Sequence, residues 1–224
     1  MAFKEQPPVV VFALSELSAL AAYEIGSIGR QVSGFTADDA FCDRDQFEQL
    51  PVVPLSVIES RFPPGEHEVY VAMGFRNMNQ LRKKACAAVK GRGYRLASFI
   101  SKSACVWEGF VQPNHLAVYG SVILQPFTRV GENTIIRSNV NLGHHTAVGD
   151  DVFLASGVVT GGSVVIGNRS VVGLGAVVRD GVRIAEESFI GAGTVVLHDT
   201  EPGGVYVGNP ARKLEKSSLE VTGG

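Results

Sequence analysis

An aliphatic side chain recurs every six residues through the second half of the chain. Stepping by six from Val118, the residues are Val118, Leu124, Val130, Ile136, Leu142, Val148, Leu154, Thr160, Ile166, Val172, Val178, Ile184, Ile190 and Val196, thirteen of fourteen aliphatic. A helix would repeat its apolar residues at spacings of three and four, and a half-buried strand at two. An unbroken period of six therefore requires a repeating coil whose turns stack on one another. Glycine often follows the aliphatic, at Gly131, Gly143, Gly149, Gly161, Gly167, Gly173 and Gly191, where it suits a tight corner.

The first half has a different rhythm. Short β-branched runs alternate with helix-like stretches over Val9–Leu14, Ser15–Arg30, Gln31–Thr36, Leu55–Phe62, Val69–Met73, Asn77–Lys90 and Tyr94–Ile100. Such alternation predicts a parallel sheet flanked by helices, with ligands held where the C-terminal ends of the strands meet the following loops. The expected organisation is an α/β, Rossmann-like N-terminal domain over residues 1–100, a coil domain over 101–215 and a flexible tail over 216–224. Ser15 fits an N-cap, and Asp38 and Asp39 stand just beyond the second strand.

A chain of 224 residues with 45 % apolar and 19 % charged residues suits one large or two small domains with a real core. Its net charge of −2 lacks the excess of Lys and Arg that nucleic acid or an anionic membrane would call for, so neither is expected as a partner. The apolar run Val9–Leu14 is too short for a signal peptide or a membrane span, which points to the cytoplasm. Cys42, Cys86 and Cys105 lack metal-ligand spacing and read as reduced thiols. His67, His115 and His198 each stand alone, and no metal is expected.

The hexad signature, aliphatic-Gly-x-x-small-x, resembles that of the left-handed parallel β-helix, in which three hexads make one triangular turn. Its handedness comes from this resemblance alone, because crossovers between parallel strands are generally right-handed. The segment from Pro202 to Arg212 is similar to that family's exit loop. An α/β half, a gapless coil and this ending together resemble, over the whole chain, the sugar acyltransferases of the sialic acid O-acetyltransferase and bacillosamine N-acetyltransferase group. The resemblance implies acetyl-CoA as co-substrate, a sugar or nucleotide-linked sugar as acceptor, and a homotrimer with the CoA groove between subunits.

Two imidazoles interrupt the repeat in Asn141-Leu-Gly-His-His-Thr-Ala-Val-Gly149. In the family's His-Asp-x-x-Ile-Gly pattern the catalytic histidine precedes the repeat glycine by five residues, which places it at His144 and puts His145 in the acid's position. An imidazole titrates near neutral pH and can take the proton of an attacking amine or hydroxyl, giving direct acyl transfer. The bland alternative for His144 is an exposed corner histidine, and His145 orients its neighbour or faces solvent. Backbone N–H groups around Gly161 and Gly162 are candidate oxyanion donors. The resemblance further implies Phe153, Gly162, Leu174 and Ala192 along the pantetheine and Arg212 and Lys213 near the CoA phosphates, with ordinary coil packing and a soluble tail as the alternatives.

On the acceptor side the chain departs from the family. The loop Phe12-Ala13-Leu14-Ser15-Glu16 has no glycine and carries an acid where the family has a Gly-rich anion-binding turn. Ser15, Asp38 and Asp39 are the acceptor candidates, the two acids reaching base or ribose hydroxyls or serving only as a turn. Trp107 is expected to pack where the two halves meet. Three readings compete with an N-acyltransferase: a sugar O-acetyltransferase, a γ-class carbonic anhydrase, whose three converging histidines an adjacent pair does not supply, and a non-catalytic β-helix scaffold.

Overall fold

The computed structural model describes residues 6–223. It divides into two compact units: one runs to Gly74 and includes Lys84–Phe99, the other comprises Phe75–Lys83 and everything from Ile100.

The first unit is built from β1 (Val9–Phe12), α1 (Glu16–Ser27), β2 (Val32–Ala37), β3 (Gln46–Phe47), β4 (Leu50–Pro54), β5 (Glu68–Val71), α2 (Gln80–Gly91, divided between the units at Lys83) and β6 (Arg95–Leu96). Its sheet has the order β3-β4-β2-β1-β5-β6 and is parallel except for the β3-β4 hairpin. All four residues of β1 are buried, as an uninterrupted apolar run should be in a parallel sheet covered on both faces. From β1 the chain steps to β2 on one side and later to β5 on the other, so β1 is the switch point. A crevice opens at the C-terminal end of such a strand. The expected element Leu55–Phe62 is a pair of 3-10 turns over Leu55–Ser60.

In the second unit, two-residue strands follow at six-residue steps and pair in parallel with the strands eighteen residues away: Ile123 with Asn141, Ala147 with Val165, Phe153 with Val171. Three hexads therefore close one turn, and the strands form three sheets. The hexad aliphatics face inward together with a second lane, two residues earlier. That lane comprises Leu116, Val122, Thr128, Thr134, Val140, Thr146, Val152, Val158, Val164, Ser170, Ala176, Val182, Ser188 and Thr194, all buried.

Corners come three residues after each aliphatic. There the backbone is left-handed at Ser121, Phe127, Asn133, Asn139, His145, Asp151, Ser163, Arg169 and Glu187, and at Gly157, Gly175, Gly181 and Gly193. The glycines expected to form these corners have another role. A Cβ on Gly143 would lie 2.3 Å from the Gly161 carbonyl oxygen, so glycine is required by the close stacking of successive turns rather than by a left-handed φ. Period eighteen sorts the corners into three edges. The first carries Pro126, His144, Gly162 and Asp180; the second carries Ser138, Ser156, Leu174 and Ala192; the third carries Glu132, Asp150, Asn168 and Glu186.

Segment Phe75–Lys83 lies against one sheet of the coil. Its Phe75 ring sits 5.1 Å from that of Phe153, and the fully buried Arg82 guanidinium donates to the Asn133 side chain (3.1 Å) and carbonyl (3.0 Å) and to Asn79 Oδ1 (2.9 Å). A buried charge is tolerable only with such hydrogen bonding. The tail expected to be flexible over 216–224 is folded through residue 223. Arg212–Ser217 pairs antiparallel with strand Gly204–Val207, and α3 (Ser218–Thr222) follows, capped by Ser217 with Glu220. Thr222 closes it down by accepting from Asn77 N (2.9 Å) through its carbonyl; residue 224 lies outside the described residues.

Candidate functional site

The one hexad position that is not aliphatic, Thr160, sits beside the histidine pair. Its hydroxyl accepts from Gly143 N (3.0 Å) and lies 3.3 Å from the Thr146 hydroxyl. The ladder between these strands retains only the pair Asn141 and Val159, so the backbone entering His144 is held by a side chain instead of a second rung. His144 N donates to Gln125 Oε1 (3.1 Å), and Gln125 Nε2 donates to Asn141 Oδ1 (3.1 Å). On the other side the His144 carbonyl accepts from Ser163 N (2.8 Å). Neighbouring turns thus fix the main chain of an exposed residue above and below.

The imidazoles meet through their Nδ1 atoms, 3.1 Å apart, with ring planes at 87°. One of the two nitrogens carries the proton of this bond. When His144 donates it, the His144 Nε2 lone pair is free to act as a base. His144 lies directly on Gly162: a Cβ there would come within 2.4 Å of Cε1 and 2.6 Å of Nε2. His145 occupies a left-handed corner (φ 60°), and its ring stacks on Phe127 with centroids 4.6 Å apart.

Several expected roles change in this light. The Gly161 N–H donates to the Val178 carbonyl (2.8 Å) and the Gly162 N–H to Asp180 Oδ1 (2.6 Å), so neither is a free oxyanion donor. Gly162 instead makes room for the imidazole. Phe153 is 8 % exposed and packed under Phe75, which removes it from a ligand groove. Leu174, 59 % exposed, and Ala192, also exposed, lie on the second edge, away from His144 and Gly162 on the first. A single chain therefore does not bring Leu174 and Ala192 to the edge that carries His144 and Gly162. Arg212 and Lys213 are exposed on the last strand; Lys213 pairs with Glu201, which raises its pKa and competes for any phosphate.

In the first unit, a cleft of about 380 Å³ opens at the ends of β1, β2 and β5 and is lined by Ser15, Asp38, Phe41, Arg44 and Met73 among others. Ser15 is the N-cap of α1, and Asp38 reaches the cleft. Asp39 does not line it: its carboxylate accepts from Ser56 N (3.1 Å), and Ser56, through its hydroxyl and N–H, holds the Asp39 carboxyl below the usual range. The loop expected to lack a glycine keeps a glycine-like backbone regardless, with Ala13 at φ 107°. Arg44 and Phe41 line the cleft without having been signalled by any motif.

Trp107 finds its ring partner inside the second unit rather than where the halves meet: it packs on Phe127 (5.5 Å), and its Nε1 donates to the Thr128 carbonyl (3.4 Å). His115 is buried against Asn133 Oδ1 (2.6 Å) and serves the core. Among the described residues no group of three or more His, Cys, Asp or Glu side chains is placed to hold a metal ion, and no helix is long and apolar enough to cross a membrane.

Residues 127–162 match the bacterial transferase hexapeptide family (six repeats). No curated protein sequence matches the chain. Solved structures do. A histidine-to-asparagine mutant of perosamine N-acetyltransferase from Caulobacter crescentus, in complex with CoA and GDP-perosamine, superposes with a TM-score of 0.84 at 24 % identity, over 93 % of this chain and 97 % of that one. The acetyltransferase domain of PglB from Neisseria gonorrhoeae gives 0.82 at 21 % identity, over 93 % and 100 %. WeeI from Acinetobacter baumannii gives 0.83 at 19 % identity, over 92 % and 99 %. The chain shares their fold, an α/β Rossmann-like part followed by a left-handed parallel β-helix.

Proposed function

We propose that this chain is an acetyl-CoA-dependent acyltransferase whose acceptor is the amine of a nucleotide-linked amino sugar, with His144 as general base. The observation that carries the reading is the exposed His144–His145 pair, fixed by both neighbouring turns and seated on a glycine that leaves room for nothing else. In the reaction His144 Nε2 removes a proton from the acceptor nitrogen as that nitrogen attacks the thioester carbonyl. The tetrahedral adduct then expels the CoA sulfur, which takes the proton back from the imidazolium, giving the amide and free CoA. His145 holds the productive tautomer through the Nδ1 contact.

N-acylation is favoured over O-acylation because the perosamine enzyme of the same fold is an N-acetyltransferase. The product linkage, a stable amide or a base-labile ester, distinguishes them. The cleft of the first unit, with Ser15, Asp38 and an Arg44 already paired with Asp43, suits the hydroxyl-rich part of such an acceptor.

A homotrimer completes the site in this reading. The sheet between the first and second edges turns Ile123, Val159 and Val177 outward, each about 40 % exposed. Such a face, apolar apart from Asn141 between Ile123 and Val159, suits a subunit contact that sets the His144 edge of one protomer against the Leu174–Ala192 edge of its partner. With acetyl-CoA as donor, we place the activity in the cytoplasm. The test is thiol release from acetyl-CoA with a panel of nucleotide-linked amino and neutral sugars. Turnover confined to the amino sugars supports the reading; failure of the chain to bind or consume acetyl-CoA contradicts it and leaves a scaffold.

A further inference from the structure

Phe127 departs from what its position asks for. The left-handed corners on either side in sequence are Ser121 and Asn133, and the corner after those is Asn139, residues whose short polar side chains tolerate this backbone. Phe127 adopts φ 68° there with a bulky ring that is 56 % exposed. Neither core packing nor corner geometry calls for an aromatic at this place. The long charged side chains at equivalent corners, Arg169 and Glu187, pair with each other (2.7 Å), whereas the Phe127 ring meets the rings of His145 and Trp107.

The ring has two aromatic neighbours and an open side. It stacks on His145 (4.6 Å, planes at 36°) and meets Trp107 (5.5 Å), whose indole is pinned by its bond to the Thr128 carbonyl. Together Trp107 and Phe127 form one wall of a pocket of about 490 Å³, completed by Val111, which is 84 % exposed, and by Arg129, the charged residue of the lining. The pocket begins one turn of the coil below the histidine pair and on the same edge.

We propose that this pocket is an acceptor subsite: the pyranose ring of the sugar lies with its C–H face on Trp107 and Phe127, and Arg129 takes the anionic group bonded to that ring. The inference rests on the acyltransferase reading for the identity of the ligand, and on the pocket for its place. An apolar shelf with one cation matches a sugar phosphate ester better than it matches a free sugar, which lacks the anion. Stacking there brings a ring substituent towards His144 while His145, in contact with the same phenyl ring, is held in line. Phe127 is then both a binding residue and, through His145, a positioning residue.

Trp107 is the only tryptophan of the chain, so its emission reports on this pocket directly. The experiment titrates the full chain with nucleotide-diphosphate amino sugars, with the matching free nucleotides and with the free amino sugars, following tryptophan emission and acetyl transfer in the same samples. The expected result is a saturable emission change with the sugar nucleotides that turn over, at concentrations tracking KM, and none with free nucleotide. Phe127→Asn, which suits the corner as Asn133 and Asn139 do, is expected to fold at least as stably, raise acceptor KM about tenfold or more and leave CoA affinity unchanged; Phe127→Tyr restores most of the loss. Turnover with unchanged emission, or with unchanged KM in Phe127→Asn, overturns the subsite and leaves the acyltransferase reading standing. An emission change without any turnover keeps the pocket as a sugar site and removes the transfer reading. Emission that follows protein concentration and ignores every sugar shows that the subunit contact the trimer brings to this edge fills the shelf in place of the sugar, and overturns the proposal.

Discussion

Replacing Gly162 with alanine separates the seat it provides for His144 from every other role the residue could have. The new Cβ would stand 2.4 Å from His144 Cε1, whereas ordinary contact begins near 3.4 Å, so the imidazole must move by at least about 1 Å. A displacement of that size in a reacting group costs roughly 10²-fold in rate, or about 2.7 kcal/mol of barrier. Stability should hardly change, because the imidazole is exposed and can swing into solvent, and a Gly→Ala exchange at a compatible φ shifts folding by only about 0.4–1 kcal/mol. The Gly162 N–H, bonded to Asp180, is present in both forms. The assay is thiol release from acetyl-CoA for Gly162→Ala, for His144→Ala and for the double variant, with CoA affinity and Tm measured alongside. We expect kcat to fall about a hundredfold with CoA affinity retained, and the glycine exchange to cost nothing further once His144 is gone. Full activity in Gly162→Ala, or an additive loss in the double variant, would refute the seating argument.

Thr160→Val restores the hexad pattern but leaves the buried Gly143 N–H without its acceptor, a penalty of about 1–3 kcal/mol partly offset by the added apolar burial; a lower Tm and a lower kcat are expected, seen by calorimetry and thiol release. Ala13→Gly removes a non-glycine residue from φ 107°, and thermal melts should show stabilisation of about 1 kcal/mol after the entropy of the added glycine is counted. Asp39 has a folded-state pKa below its unfolded value, so its bond with Ser56 contributes stability above the ordinary carboxylate pKa and loses it as pH falls through the lowered one. Asp39→Ala should accordingly lower Tm at neutral pH and converge with wild type in acid, as paired melts across that range would show.

How much of this was readable depended on whether a residue's role followed from spacing or from contact. The inward aliphatics were legible because a period of six has no other explanation, and once three hexads make a turn, His144 and Gly162, eighteen apart, must share an edge while Leu174 and Ala192 share another. The second inward lane was hidden because Thr and Ser fill many of its positions, among them Thr134 and Thr146, whose hydroxyls donate to the Gly149 and Gly161 carbonyls inside the coil and which read as polar in a sequence. The glycines misled: their position suggested corners, and only the clearance at Gly143 and Gly162 reveals close stacking. Strand β4 escaped notice because Pro51 and Pro54 argue against a strand, although both sit near its ends, and its hairpin turns on Glu48 and Gln49, left-handed without any glycine. The C-terminal helix did leave a signal, the Ser217-x-x-Glu220 capping box, which the expectation of a flexible tail passed over. Phe127 looked like any apolar residue in a coil until its backbone and its ring contacts were seen.

The central claim is that His144 moves the proton during acyl transfer, and the most direct test is the single-turnover rate of acetyl transfer in His144→Asn beside wild type, with CoA affinity measured on the same samples. Loss of the base should slow the rate about 10²–10⁴-fold with CoA affinity unchanged. An undiminished rate, or a loss explained wholly by weaker CoA binding, would contradict it.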